Sequence, residues 1–154
     1  MKHLKILSSL LLIAFAMAAC SLSTSTATVD EKARVTAVVE GFGKKLASVS
    51  LLATTASADI RAQYADYVAP ALLDQWAGDP SQAPGRLTSS PWPDRIEIIS
   101  ITRVSAGEYA VTGSIVEVTS VEVNTGGAAV EIPLQLTLQK DDQDRWWITD
   151  LQQG

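Results

Sequence analysis

The sequence has one histidine and one cysteine, and neither sits where a folded domain would use it for catalysis. His3 lies in the first residues, ahead of the apolar run Ile6–Ala19. A chain that sheds this stretch keeps no imidazole. Ser-His-Asp and Cys-His arrangements and the common zinc ligand sets then lack a member. Cys20 has no partner for an intramolecular disulfide, so the fold is expected to form without a covalent staple. Basic residues are also scarce. Removing Lys2 and Lys5 from the twelve Lys and Arg leaves ten against seventeen acids, a formal −7. That balance argues against nucleic acid and against direct binding to anionic lipid headgroups. A phosphate loop is missing too: Gly41–Lys45, GFGKK, has neither the glycine spacing nor a Ser or Thr after the lysine. No cofactor or metal is expected.

What is present begins with an address. Lys2 and Lys5 form a positive start, Ile6–Ala16 is apolar apart from Ser8 and Ser9, and Ala18 and Ala19 are small. This is the layout of a secretory signal peptide. It is shorter than the roughly 20 apolar residues of a comfortable membrane span. Met17-Ala18-Ala19-Cys20 resembles the bacterial lipobox, with Met17 where that pattern usually has Leu. The resemblance implies diacylglyceryl transfer to the Cys20 thiol, cleavage before Cys20 and acylation of the new amino terminus. An ordinary secretory peptide with an incidental cysteine is the other reading. Ser21, rather than Asp, follows the cysteine. In a double-membrane bacterium that favours the outer membrane; in a single-membrane one the protein would face outward from the plasma membrane. The expected organisation is a signal peptide over 1–19, a lipidated tether over 20–29 and one domain over 30–151.

The domain starts with helical spacing and ends with strand spacing. Val35, Val38, Val39, Phe42, Leu46 and Val49 form an amphipathic stripe, predicting a helix from an Asp30 cap to about Val49. Ser57 is expected to cap a second helix through Val68, with Ile60, Tyr64, Tyr67 and Val68 on one face. Pro70 ends it or opens a third helix, Ala71–Trp76, at its first position. Residues 77–94 hold four of the six prolines and read as a long loop, a kind that is often functional. Trp92 in that loop either plugs the core or contacts a ligand or partner. Strands are expected over Arg95–Val104, Tyr109–Val123, Val130–Gln139 and Arg145–Leu151. Phase slips in the second predict bulges, and Asn124–Gly127 reads as a hairpin turn.

Helices followed by a four-stranded antiparallel meander is an α+β layout, with the helices packed on a curved sheet. The stretches DEKARVTAVVEGFGKKL, YVAPALLDQWA and LQLTLQKDDQDRWWITDL resemble the NTF2-like (cystatin-like) superfamily. That resemblance covers most of residues 30–151 and implies a cone-shaped domain. Its departure is the missing early hairpin, whose place the proline-rich loop takes. Enzymes of that superfamily use an acidic base and a Tyr or Asp donor inside the cone. The nearest equivalents in type are Asp59 or Asp66 with Tyr64 or Tyr67. Tyrosines on an apolar helix face also commonly pack in the core and reach out with the hydroxyl. Asp141, Asp142 and Asp144 form an acidic cluster best read as a solvated turn, because the glycine and further ligands of a calcium loop do not follow. Trp146 is expected in the core with Ile148, and Trp147 on the opposite face as an exposed aromatic or under a covering loop. Tyr64, Tyr67, Trp76, Trp92 and Trp147 are therefore the candidate contacts, and Cys20 the lipidation site. The functional expectation is a non-catalytic, lipid-anchored extracytoplasmic domain that binds a small ligand or an envelope protein. A small-molecule carrier or isomerase-type enzyme with an apolar pocket is the alternative.

Overall fold

The computed structural model describes the backbone of residues 20–154 and the side chains of residues 28–154. The expected signal peptide, residues 1–19, and the Cys20 thiol lie outside what is described. The chain divides into two units, Met1–Ala33 and Arg34–Gly154. In the first unit, residues 20–33 are helical.

The first helix, α1, spans Cys20–Gly43. It starts well before the expected Asp30 cap, so the backbone of the proposed tether is helical. Extending a helix already nucleated adds one hydrogen bond per residue fixed, which favours propagation through small residues such as Ala27. The helix also stops earlier than Val49. Gly43 packs against the strand that carries Ile96, where an added Cβ would lie 2.7 Å from the Ile96 backbone nitrogen. Glycine permits that approach and weakens the helix there. A short 3-10 turn, Leu46–Ser48, follows. The predicted stripe is nevertheless the buried one: Val35, Val39, Phe42, Leu46 and Val49 are fully inaccessible. Each such side chain contributes about 1.5–3 kcal/mol of burial.

Helix α2 covers Ala56–Tyr64 and α3 covers Pro70–Gly78, with Pro70 opening α3. Ser57 is not a cap. It lies inside α2, and its Oγ donates to Ala77 O at 2.7 Å, tying α2 to α3. The link between them, residues 65–69, leaves helical geometry and runs beside the last strand. Ile148 N donates to Tyr67 O at 2.9 Å and Ala69 N donates to Ile148 O at 2.8 Å. That contact covers a sheet edge which would otherwise offer unpaired backbone groups.

Among the described residues, four strands form one antiparallel sheet in sequential order: β1 Trp92–Ser105, β2 Glu108–Val118, β3 Val130–Lys140 and β4 Trp146–Gln153. The α+β meander expected from the sequence is thus observed. Three details differ. Trp92 and Pro93 belong to β1, paired with Val118 and Glu117. The outer edge of β1 tolerates a proline because no ladder hydrogen bond is required there. The bulges fall on β1 rather than β2: pairing shifts between Pro93 and Arg95, Ile98 and Ser100, and Arg103 and Ser105. The phase slip in β2 instead reflects burial on both faces, from Gly113 to Val116. Finally, β2 ends at Val118, and Ser120–Thr125 is a short helix, α4. Thr119 caps it. Its Oγ1 accepts from Val121 N at 3.2 Å, and Glu122 Oε2 accepts from Thr119 N at 2.8 Å. This reciprocal capping box overrides the strand pattern of Val121 and Val123.

The core lies between α1–α3 and the sheet face carrying Tyr109, Val111, Ile115, Leu134, Leu136, Leu138, Trp146 and Ile148.

Candidate functional site

The proline-rich stretch is a strap fastened at several points. Asp79 starts it: Oδ1 accepts from Ser81 N at 3.2 Å and Ser81 Oγ at 2.6 Å, and Oδ2 accepts from Gln82 Nε2 at 2.7 Å. These bonds, the Ser81 hydroxyl first, hold the Asp79 carboxyl below its usual range. Farther on, Tyr64 Oη donates to Pro84 O at 2.7 Å. Arg86 N donates to Val49 O at 2.8 Å, and Leu51 N donates to Arg86 O at 3.0 Å. Gly85 lies so close to Leu51 that an added Cβ would sit 2.9 Å from Leu51 Cδ2.

Between this strap and one end of the sheet is a pocket of about 290 Å³. The strap supplies Ser81–Gly85 and Leu87, and Leu51 closes one side. The sheet supplies Pro93, Ile115, Glu117, Ile132, Leu151 and Gln153. The ladder sets this floor: Ile115 pairs with Ile132 and with Ile96, and Glu117 pairs with Pro93 and with Val130. Glu117 is the ionisable side chain on the lining. Desolvation raises its carboxyl above the ordinary value. Among the described residues no ion pair involves it. Arg95, near it on β1, is engaged elsewhere: it donates to Asp94, Glu97 and Gly127 O.

The residues singled out from sequence are distributed differently. Tyr64, Tyr67 and Trp76 do come together, around Phe42. Ring centroids stand 4.9 Å apart for Phe42–Tyr64, 6.5 Å for Phe42–Tyr67 and 6.2 Å for Phe42–Trp76. Tyr64 and Tyr67 pack as core; Trp76 packs with them and also lines a pocket of about 270 Å³ with Leu72, Gln75, Thr149 and Leu151. Tyr64 is fully buried, and burial pushes its phenol up, so it remains a protonated donor. Tyr67 is half-buried and Trp76 buried. Asp59 accepts from Thr55 Oγ1 at 2.8 Å in the first turn of α2, and Asp66 is exposed. No carboxylate therefore meets these tyrosines in a shared pocket among the described residues.

Trp92 is half-buried in β1. Trp147 is not an open aromatic patch. Its Nε1 donates to Asp141 Oδ2 at 2.7 Å, and the Arg145 guanidinium lies 4.2 Å from its ring centroid. Within the acidic cluster, Asp141 is bonded to the turn and Asp144 to basic side chains, while Asp142 is exposed. Asp141 Oδ1 accepts from Gln143 N and Arg145 N, both at 2.9 Å. Asp144 pairs with Arg34 at 2.6 Å and Lys140 at 3.0 Å.

No protein-family model matches the chain, and no curated protein or solved structure gives a significant match. No helix among the described residues is long and apolar enough to cross a membrane. Sequence reasoning missed Glu117. The available signal was its place in the apolar phase of β2, two residues beyond Ile115.

Proposed function

We propose that this protein is a non-catalytic, lipid-anchored extracytoplasmic domain that binds a small, largely apolar ligand between the strap and the sheet. The observation that carries the binding reading is the pocket of about 290 Å³, near the small end of ligand sites. Its lining is aliphatic at Leu51, Leu87, Ile115, Ile132 and Leu151 and polar at Ser81, Gln82, Glu117 and Gln153, so polar groups are at hand to orient an apolar guest. The helices laid over a bulged sheet are consistent with an NTF2-like cone, in which the strap would close the wide end. The anchored reading is supported by Met17-Ala18-Ala19-Cys20, with the membrane as the partner reached through the acyl groups.

The packing of Tyr64 and Tyr67 around Phe42 disfavours an isomerase-type site at those residues. Among the described residues neither meets Asp59 or Asp66: Asp59 is bonded to Thr55 and Asp66 is exposed.

Hexanol is a suitable neutral probe for the pocket. Titrated into the full chain, it should shift the methyl resonances of Leu51, Leu87, Ile115, Ile132 and Leu151 together. Shifts elsewhere, or none, would remove the binding reading. Palmitate labelling in a bacterial host, lost in Cys20→Ser, tests the anchor. Equal labelling of both forms would count against it.

A further inference from the structure

We propose that the strap-and-sheet pocket selects a small apolar ligand bearing a cationic amine, with Glu117 as its counter-charge. The inference rests on the binding reading above and adds the chemical class of the guest. Its warrant is the geometry of one carboxylate that shares a pocket with aliphatic side chains and with the neutral polar residues Ser81, Gln82 and Gln153. Glu117 is half-buried at the end of β2, on the sheet face of Ile115, and Leu51, Leu87, Pro93, Ile132 and Leu151 share its pocket.

The charged groups nearby do not satisfy it. On β1, Asp94 and Arg95 follow Pro93, and Arg95 is held by Asp94 and Glu97. On β3 the adjacent carboxylate is Glu131, paired with Val116 rather than Glu117. On β4 it is Asp150, and on the strap the cation is Arg86. None of these side chains lines the pocket. A carboxylate partly withdrawn from water gains most from a cation that brings its own apolar body, because the two are desolvated together. An ammonium on a short alkyl chain has that shape. A carboxylate on the same chain would meet Glu117 as a like charge. The raised titration of Glu117 agrees with a site where the charged form lacks a partner until the ligand arrives.

Three probes of one length test this: hexylammonium, hexanol and hexanoate. Each is titrated by calorimetry and methyl NMR into the full chain carrying Cys20→Ser, so that no acyl chain competes. Hexylammonium should bind roughly tenfold tighter than hexanol, as a charge-assisted hydrogen bond warrants, and hexanoate more weakly than either. Glu117→Gln should bring hexylammonium to the hexanol value and leave hexanol unchanged. A second measurement needs no change at Glu117. In the same Cys20→Ser chain, the preference for hexylammonium should disappear as pH falls through the Glu117 titration.

If the three probes move the pocket methyls with equal affinity, or the preference survives acidification, the cationic assignment is overturned and the pocket reading stands. If no probe moves those methyls, the pocket reading fails and this inference fails with it.

Discussion

Trp147 Nε1 and Asp141 Oδ2 are 2.7 Å apart, and this bond closes the turn that leads into β4. The same carboxylate accepts two backbone amides through Oδ1, from Gln143 and Arg145. The indole bond is the largest of the influences holding the Asp141 carboxyl below its ordinary range, followed by the Arg145 amide. Trp147→Phe keeps a ring under Arg145 and deletes the donor. The expected outcome is an Asp141 titration moved upward, toward the ordinary value, with a small loss of thermal stability. Carboxyl NMR across acid pH measures it. An unmoved Asp141 titration would show that the backbone amides alone hold the turn.

Gly113 and Gly78 should answer an alanine in opposite ways. Gly113 faces β1 so closely that a Cβ would overlap Glu97 O, while a Cβ on Gly78 meets nothing within 4 Å. Gly113→Ala must push β1 away or break its pairing, at a cost of about 1–3 kcal/mol. Gly78→Ala, at the end of α3, should be neutral or stabilise by up to about 1 kcal/mol through helix propensity. Denaturant midpoints of the two variants decide this. Equal shifts would mean that the β1–β2 approach is softer than its geometry.

The contrast between legible and illegible parts follows from range. The α1 stripe and the alternation of Leu134, Leu136 and Leu138 are periodic, so the sequence alone shows which side chains face the core. The end of β2 misleads because Val116, Val118, Val121 and Val123 continue a strand-like composition. The Thr119–Glu122 capping box was a local signal for the helix, hidden in that valine-rich run. The pocket has no local signature. Leu51, Pro84, Pro93, Ile115, Ile132 and Leu151 come from separate elements, and only folding places them around Glu117. Trp147 reads from the sequence as an exposed-patch candidate and Trp76 as a candidate contact, yet Trp147 is bonded to Asp141 and Trp76 is buried.

Two buried tyrosines provide a matched test of hydrogen bonding. Tyr64 Oη donates to Pro84 O at 2.7 Å, whereas Tyr109 Oη is buried without a partner among the described residues, edge-on to Trp146. Tyr64→Phe leaves the Pro84 carbonyl unpaired and should cost about 1–3 kcal/mol. It should also weaken hexanol binding, because Pro84 lines the pocket. Tyr109→Phe removes an unsatisfied hydroxyl from an apolar setting and should be neutral or stabilising by about 1 kcal/mol. Thermal midpoints of the pair, measured in one buffer, test the contrast. A larger loss for Tyr109→Phe would mean that its hydroxyl has a partner in solution.

The carboxylates predict how stability depends on pH, with two opposing signs. The Asp144 carboxyl is held low, chiefly by the Arg34 hydrogen bond and then by Lys140. A lowered folded value means stability that is present above the ordinary carboxylate pKa of about 4 and lost as pH falls through the folded value. Asp144→Asn should therefore flatten the acid limb of a stability profile. Asparagine suits the site because Asp144 has a positive φ of 62°, which that residue also tolerates. Glu117 works the other way. Its folded value is raised by desolvation, so its contribution is present below the unfolded pKa and lost as pH rises through the folded one. Glu117→Gln should leave the acid limb intact and gain on the wild type as pH climbs from about 4 toward neutrality. Calorimetric midpoints of the wild type and both variants across that range separate the two effects. A Glu117→Gln profile parallel to the wild type throughout would mean that folding does not perturb this carboxyl.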